Sequence, residues 1–234
     1  MPDKKPYGNL LLDRLTSTDL ALLAGDLERV SLPIRRRLHS VERKINDVYF
    51  VSEGIVSVVA TNGRKGKPAE VGIIGNEGMS GIEVLLADDR SQHEVLVQVA
   101  GHGFRMPAER LAAAMDKSAT LRRALLRFSS AFLVQITETA LASATANVEQ
   151  RLARWLLLAD DRLYGNVVPL THEFLAIMLC VRRSGVTVAI RQLAKRGLVR
   201  NSRGFVVIAD RAGLAAHAGA IYGRSRKELE RLTA

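Results

Sequence analysis

Between Leu170 and Val199 apolar side chains recur twice at helical spacing, with a break between the two runs. Phe174, Leu175, Met178 and Leu179 make one apolar face behind Thr171, whose hydroxyl can cap an exposed amide one turn on. Cys180 and Val181 interrupt that face, and Cys180 is read as a small buried residue of the turn. A second helix is predicted over about 182–193, with Val186, Ala189, Ile190 and Leu193 inward and Arg182, Arg183, Ser184, Thr187 and Arg191 outward. Leu198–Arg200 and Phe205–Ile208 are β-prone runs around Asn201-Ser202-Arg203-Gly204, a hairpin turn. Two helices and a hairpin in that order describe a winged helix-turn-helix, which lays the outer face of its second helix in the DNA major groove. Arg200 and Arg203 then stand where a wing meets phosphate.

The first half of the chain alternates differently. A helical opening (10–15, then 19–27) gives way to short strands at 47–51, 55–60, 69–74 and 94–99. The strands are punctuated by Ser52-Glu53-Gly54, by Asn62-Gly63 with Lys65-Gly66, and by Gly75, Gly78 and Gly81. Many short strands with Gly-rich turns predict a sandwich or β-roll. Gly54 and Gly72 are expected where backbones approach closely at its corners. After a short helix at 108–115, Leu121, Leu125, Phe128, Phe132, Gln135 and Thr139 recur every three or four residues, and we assign this stripe to a dimerisation helix. Leu126, Leu133, Ile136 and Ala140 form a second, adjacent stripe; one stripe can pack on the helix's own β-domain and the other on a partner. Asn147 and Gln150 have capping-box spacing, so a new helix begins there and runs to about Leu163, with residues 144–146 as a hinge. Trp155 falls with Leu152, Leu156 and Leu157 on that helix's core face.

Charge sharpens the picture. Residues 147–234 hold fifteen Lys and Arg against seven Asp and Glu, a net of +8, while residues 1–146 carry a net of +2. The basic excess coincides with the helix-turn-helix and favours a polyanion, since each neutralised phosphate releases condensed counterions. The opening MPDKKPYGN has no apolar signal core and no apolar run approaches a membrane span, so a cytoplasmic protein with no membrane partner is expected. A single cysteine excludes an internal disulfide, and His93 and His102 are read as surface residues, so no metal site is assigned. No nucleophile motif, phosphate-binding loop or paired acids emerge, and no catalytic residue or cofactor is assigned.

Together these residues resemble the Crp/Fnr family of bacterial transcription regulators over nearly the whole chain. The resemblance rests on Val48-Tyr49-Phe50 with Glu53-Gly54 and Ser57, the loop from Val71-Gly72 to Gly78, Leu170-Thr171, Arg183, Leu193, Gly197-Leu198-Val199, and Asp210 with Leu214. It implies an α+β fold in three parts: a jelly-roll-like β-roll of the cyclic-nucleotide-binding type over 1–116, a long dimerisation helix and hinge over 117–146, and a winged helix-turn-helix over 147–234. It also implies a homodimer on a two-fold symmetric operator in double-stranded DNA, with RNA polymerase as a further partner. The DNA-facing set is Thr171, His172, Arg182, Arg183, Ser184, Gly185, Thr187, Arg191, Arg200 and Arg203. Arg183 matches the family arginine that reads guanine, whereas Ser184, Gly185 and Val188 depart from the usual readers, so operator specificity does not transfer. Cys180 replaces the family's turn glycine. The Gly-Glu-Leu run of cyclic-nucleotide binders is missing, which argues against that effector; Gly78-Met79-Ser80 and the pair Arg90-Ser91 are the remaining ligand-binding candidates. A second reading stays open: a ligand-binding or protein-interaction module whose winged helix mediates assembly.

Overall fold

A computed structural model describes residues 6–61, 68–163 and 165–233. A 3₁₀ turn (Leu12–Arg14) and α1 (Ser17–Ala24), capped by Thr16, lead into strands β1 (Glu28–Leu32) and β2 (Arg37–His39). Next come β3 (Asp47–Thr61), β4 (Pro68–Ile74), β5 (Met79–Ser80), α2 (Ile82–Leu85) and β6 (Glu94–Pro107). All pairings are antiparallel, in the order β1-β6-β3-β4, with β2 on β6 and β5 on β3. The sequence reading broke β3 at Ser52–Gly54; the strand instead runs through, its register slipping between Val51 and Val56. Gly54 takes φ +93° there, and a Cβ on it would overlap the Val99 carbonyl. The second half of β6 and all of β1 and β2 were not expected. The turn predicted at 62–66 lies outside the described residues.

Helices follow: α3 (Ala108–Lys117) and α4 (Ala119–Thr145), the latter capped by Ser118. The backbone turns extended at Ala146, and Asn147 opens α5 (Val148–Asp160) with the full capping box. Then come β7 (Val167–Val168), α6 (His172–Met178), α7 (Arg183–Lys195), β8 (Val199–Ser202), β9 (Phe205–Ile208), α8 (Arg211–Ala218), a 3₁₀ turn (Gly219–Ile221) and α9 (Arg224–Thr233).

The stripe assigned to dimerisation faces inward, which corrects that assignment. Leu121, Leu125, Phe128, Phe132 and Gln135 are buried within the chain's own fold, and Thr139 is half-buried. Gly78 and Gly72 make room for Phe128 and Phe132; a Cβ at either glycine would run into the ring. Gln135 accepts from Ile73 N at 2.7 Å and donates to Ile73 O at 3.1 Å, so its amide pairs the open edge of β4. Of the adjacent stripe Leu126 (39%), Leu133 (57%) and Ala140 are exposed, while Ile136 is half-buried against the β-domain.

The C-terminal helices are docked on the β-domain. Ile55, Ile73 and Val99 of the sheet share one apolar core with α5, α6 and α7. Trp155 is in that core, as expected for its helix, but its indole also reaches across, donating to Glu70 Oε1 at 2.5 Å. Ser57 donates to the other Glu70 oxygen at 2.6 Å. Burial pushes the Glu70 carboxyl up to about 7, against the opposing pull of those two hydrogen bonds and of Arg154 and Arg162. Arg162 pairs with Glu77 of the β4–β5 loop at 2.7 Å, both side chains buried. Helix α9, which the sequence reading did not foresee, lies along α4. Buried Glu138 of α4 accepts from the Arg224 and Ser225 amides at 3.1 Å each and so caps the start of α9.

Candidate nucleic-acid interface

The helix-turn-helix forms where the spacing placed it. Thr171 caps α6 by accepting from Phe174 N at 3.3 Å, and Leu175, Met178 and Leu179 are buried, with Phe174 half-buried. The turn closes through Val181 N to Ala176 O at 3.0 Å. Cys180 takes φ +51°, the left-handed conformation that a glycine would supply without strain. It is exposed, not buried as read from sequence, because the chain reverses there and carries the side chain off the apolar face of α6. Arg182 takes the N-cap position of α7, and Val186, Ala189, Ile190 and Leu193 are the buried side of that helix.

The outward side of α7 carries Arg183, Ser184, Val188 and Arg191, all exposed, with Gly185 and Thr187 half-buried beside them. Val188 places an apolar methyl pair, 54% exposed, where a polar reader was expected. The wing is β8 and β9, joined by a turn in which Gly204 takes φ +85°, and β7 pairs with β9 as a third strand absent from the sequence reading. Arg200 is exposed on β8 and Arg203 in the turn.

His172 ties these parts together. Its Nδ1 lies 3.1 Å from Thr187 Oγ1 and its Nε2 lies 3.2 Å from the Asn201 side-chain amide. The Thr187 hydroxyl already donates to Arg183 O at 3.1 Å, so it accepts from Nδ1–H, and a neutral ring pairs with Asn201 when the amide is turned to present its NH2 to Nε2. One imidazole thus clasps the start of α6, the middle of α7 and the wing. The sequence suggested His172 as a DNA contact; its clasp was invisible because Asn201 lies 29 residues away.

Electrostatics mark this face without isolating it: the side chains of Arg151, Arg196 and Arg224 in the same domain also have no acid within salt-bridge distance among the described residues. Among the described residues, Arg182, Arg183, Arg191, Arg200 and Arg203 have no acid within salt-bridge distance. Arg162, Arg211 and Arg226 of the same domain are each held by Glu77, Asp160, Asp161 or Glu230. Unpaired guanidiniums on a recognition helix and its wing are the arrangement that phosphates and guanine edges complement.

The candidate ligand set of the β-domain is not gathered around a cavity. Met79 and Ser80 are fully buried, Ser80 lies 2.9 Å from His39 Nε2, and Gly78 is packed under the Phe128 ring. Ser91 is buried and donates to His93 O at 2.8 Å, with Glu83 3.3 Å away. Arg90 is exposed and turned toward Asp89 and the Glu42 carbonyl. The two members of the Arg90-Ser91 pair therefore do not converge, and the carboxylate beside Ser91 opposes an anion there. His93 and His102 each lie against a glutamate, Glu83 and Glu53. Among the described residues no cluster of metal-ligating side chains occurs, and no helix is long and apolar enough to cross a membrane.

Comparison with known proteins agrees with this geometry. Residues 150–217 match the Crp-like helix-turn-helix domain. FixK2 from Bradyrhizobium japonicum has the same fold at 17% identity, over 83% of this chain and 98% of that one, with a TM-score of 0.72. A Crp/Fnr-family protein from Eubacterium rectale matches at 19% identity over 89% and 97%, TM-score 0.68. The c-di-GMP-responsive global regulator CLP of Xanthomonas campestris matches at 18% identity over 82% and 99%, TM-score 0.66. No curated protein matches the chain.

Proposed function

We propose that this chain, a Crp/Fnr fold ending in a Crp-like helix-turn-helix domain, is a homodimeric, sequence-specific DNA-binding transcription regulator. The observation that carries the reading is the row of exposed arginines without an acid partner on α7 and the wing, whereas Arg162, Arg211 and Arg226 of the same domain each pair with an acid. Arg183 reads a guanine by paired hydrogen bonds to O6 and N7, and Arg200 and Arg203 hold phosphate. His172 positions rather than reads, since both of its nitrogens are engaged within the protein.

Dimerisation runs along the exposed side of α4. Leu126, Leu133 and Ala140 recur every seven residues, and Ser130, Thr137 and Ala144 recur in the alternate position. All six are exposed and small or apolar, the pattern of a two-stranded coiled-coil seam. Two such protomers present their recognition helices to half-sites roughly 34–36 Å apart.

Selection of bound duplexes from a random pool tests the proposal, followed by titration of the selected site at several salt concentrations. A palindromic site is expected, with affinity falling steeply as salt rises. Arg183→Ala should cost about 1–3 kcal/mol of discrimination at one base pair per half-site. Binding to no duplex, or site preference untouched by Arg183→Ala, would overturn the assignment. A salt-insensitive complex with protein alone would favour an assembly role for the winged helix instead.

A further inference from the structure

A cleft lies away from both the β-domain interior and the DNA face. Its volume is about 560 Å³, within the range of small-molecule pockets, and it is set, as many are, between domains. Its walls come from the first 3₁₀ turn, the β4–β5 loop, α4, the end of α5, the start of α8 and α9. The apolar part is Leu10 with Phe128, Ala131 and Phe132 of α4, Leu158 and Leu229, of which Leu10 and Leu229 are the more exposed.

Four arginines and four acids line the same cleft, and their pairing is uneven. Arg162 is held by Glu77, Arg211 by Asp160 and Asp161, and Arg226 by Asp161 and Glu230. Every acid of the lining is therefore engaged. Arg14 is left over, exposed and with no acid or side-chain hydrogen bond among the described residues. A bound cation would meet acids already neutralised, and a polyphosphate would need more than one unengaged guanidinium. A single negative charge on an apolar body is the chemistry that matches what is left.

We infer that this cleft binds a small amphipathic carboxylate, its apolar body against Leu10 and Leu229 above the buried Phe128 and Phe132 rings and its carboxylate on Arg14. The walls belong to both halves of the molecule, so an occupant that fits the docked geometry favours it over any other placement of the winged domain. By linkage it changes DNA affinity by the same factor that DNA changes its own. This last step rests on the proposed DNA-binding function; occupancy of the cleft does not.

Calorimetric titration of the full chain tests it, with phenylpropionate and octanoate at millimolar concentration against phenylpropionamide, the neutral amide. Saturable binding of a carboxylate is expected, roughly tenfold tighter than the amide, the worth of one charge-assisted hydrogen bond. In Arg14→Ala, an exposed substitution expected to leave the melting temperature unchanged, the acid and the amide should bind alike, and Arg14→Glu should reverse their order. No saturable binding of either carboxylate, or a preference for the acid that survives Arg14→Ala, overturns the inference. The same carboxylate is then added to a DNA titration. Carboxylate binding by a protein that binds no duplex upholds the cleft and sinks the regulator; duplex binding by a protein that takes up no carboxylate does the reverse.

Discussion

Glu70 is a buried acid placed between the β-domain and α5, bonded to Ser57 on one side and Trp155 on the other. Its carboxyl is raised to about 7 by burial, from an ordinary 4.5, so the packed state holds this proton more tightly than the exposed state does. The stabilisation from the neutral form is complete below pH 4.5 and is lost as pH rises through about 7, at roughly 1.4 kcal/mol per pH unit. His39 runs the other way. Burial pushes it down to about 4 from 6.5, so its contribution is complete above pH 6.5 and fades as pH falls through about 4. The two slopes oppose each other, and only a comparison at matched pH isolates either. Glu70→Gln keeps an acceptor for Trp155 and removes the titration. Its stability relative to the parent should therefore rise between pH 4.5 and 7, read by urea denaturation through Trp155, the only tryptophan. A difference constant across that range would refute the coupling. None of this was legible in the sequence, where Glu70 is one acid in a strand-like run and its partners Ser57 and Trp155 lie 13 and 85 residues away. At Cys180 only the left-handed turn was legible, through the glycine that the resembled family carries there; its exposure was not.

Helix α4 shows why periodicity finds an element more easily than its orientation. Its two stripes are equally apolar in sequence, and the choice between them was made by residues far away. Gly72 and Gly78 open the β4–β5 region to the Phe132 and Phe128 rings, and Gln135 bonds both polar groups of Ile73. Of the other stripe Leu126, Leu133 and Ala140 are exposed, and on the proposed dimer Leu133→Glu should convert a dimer to a monomer of unchanged melting behaviour at high dilution. Sedimentation velocity checks this; a dimer that survives would relocate the interface. Leu125→Glu, by contrast, places a charge in the core and should unfold the domain. Strand β1 escaped the sequence reading because the apolar alternation of Glu28-Arg29-Val30-Ser31-Leu32 is confined to Val30 and Leu32, too short a run to announce a strand. The second half of β6 escaped because Gly101 and Gly103 interrupt the pattern, yet both sit where the backbone of β3 leaves no room for a Cβ. Helix α9 carries a single large apolar residue in Leu229 before its last turn, too little to announce a packed helix.

For the whole molecule, the order of parts was readable: antiparallel sheet, long helix, winged helix-turn-helix. The union of the parts was not, although β3 held the clue. Nearly every residue of that strand is buried, so its sheet must be covered on both faces, and an unbroken apolar run is how such a strand reads. The sequence pattern was attributed to a β-roll closing on itself, when part of the covering comes from beyond residue 146. That shared core makes the two halves poor candidates for life apart. A fragment ending at Ala146 would bare Ile55, Ile73 and Val99 around an orphaned glutamate, and one starting at Asn147 would bare Trp155 and Met178. Each alone should precipitate or recruit chaperones, whereas the pair expressed as separate polypeptides should find each other and copurify, reconstituting by complementation what the peptide bond normally enforces.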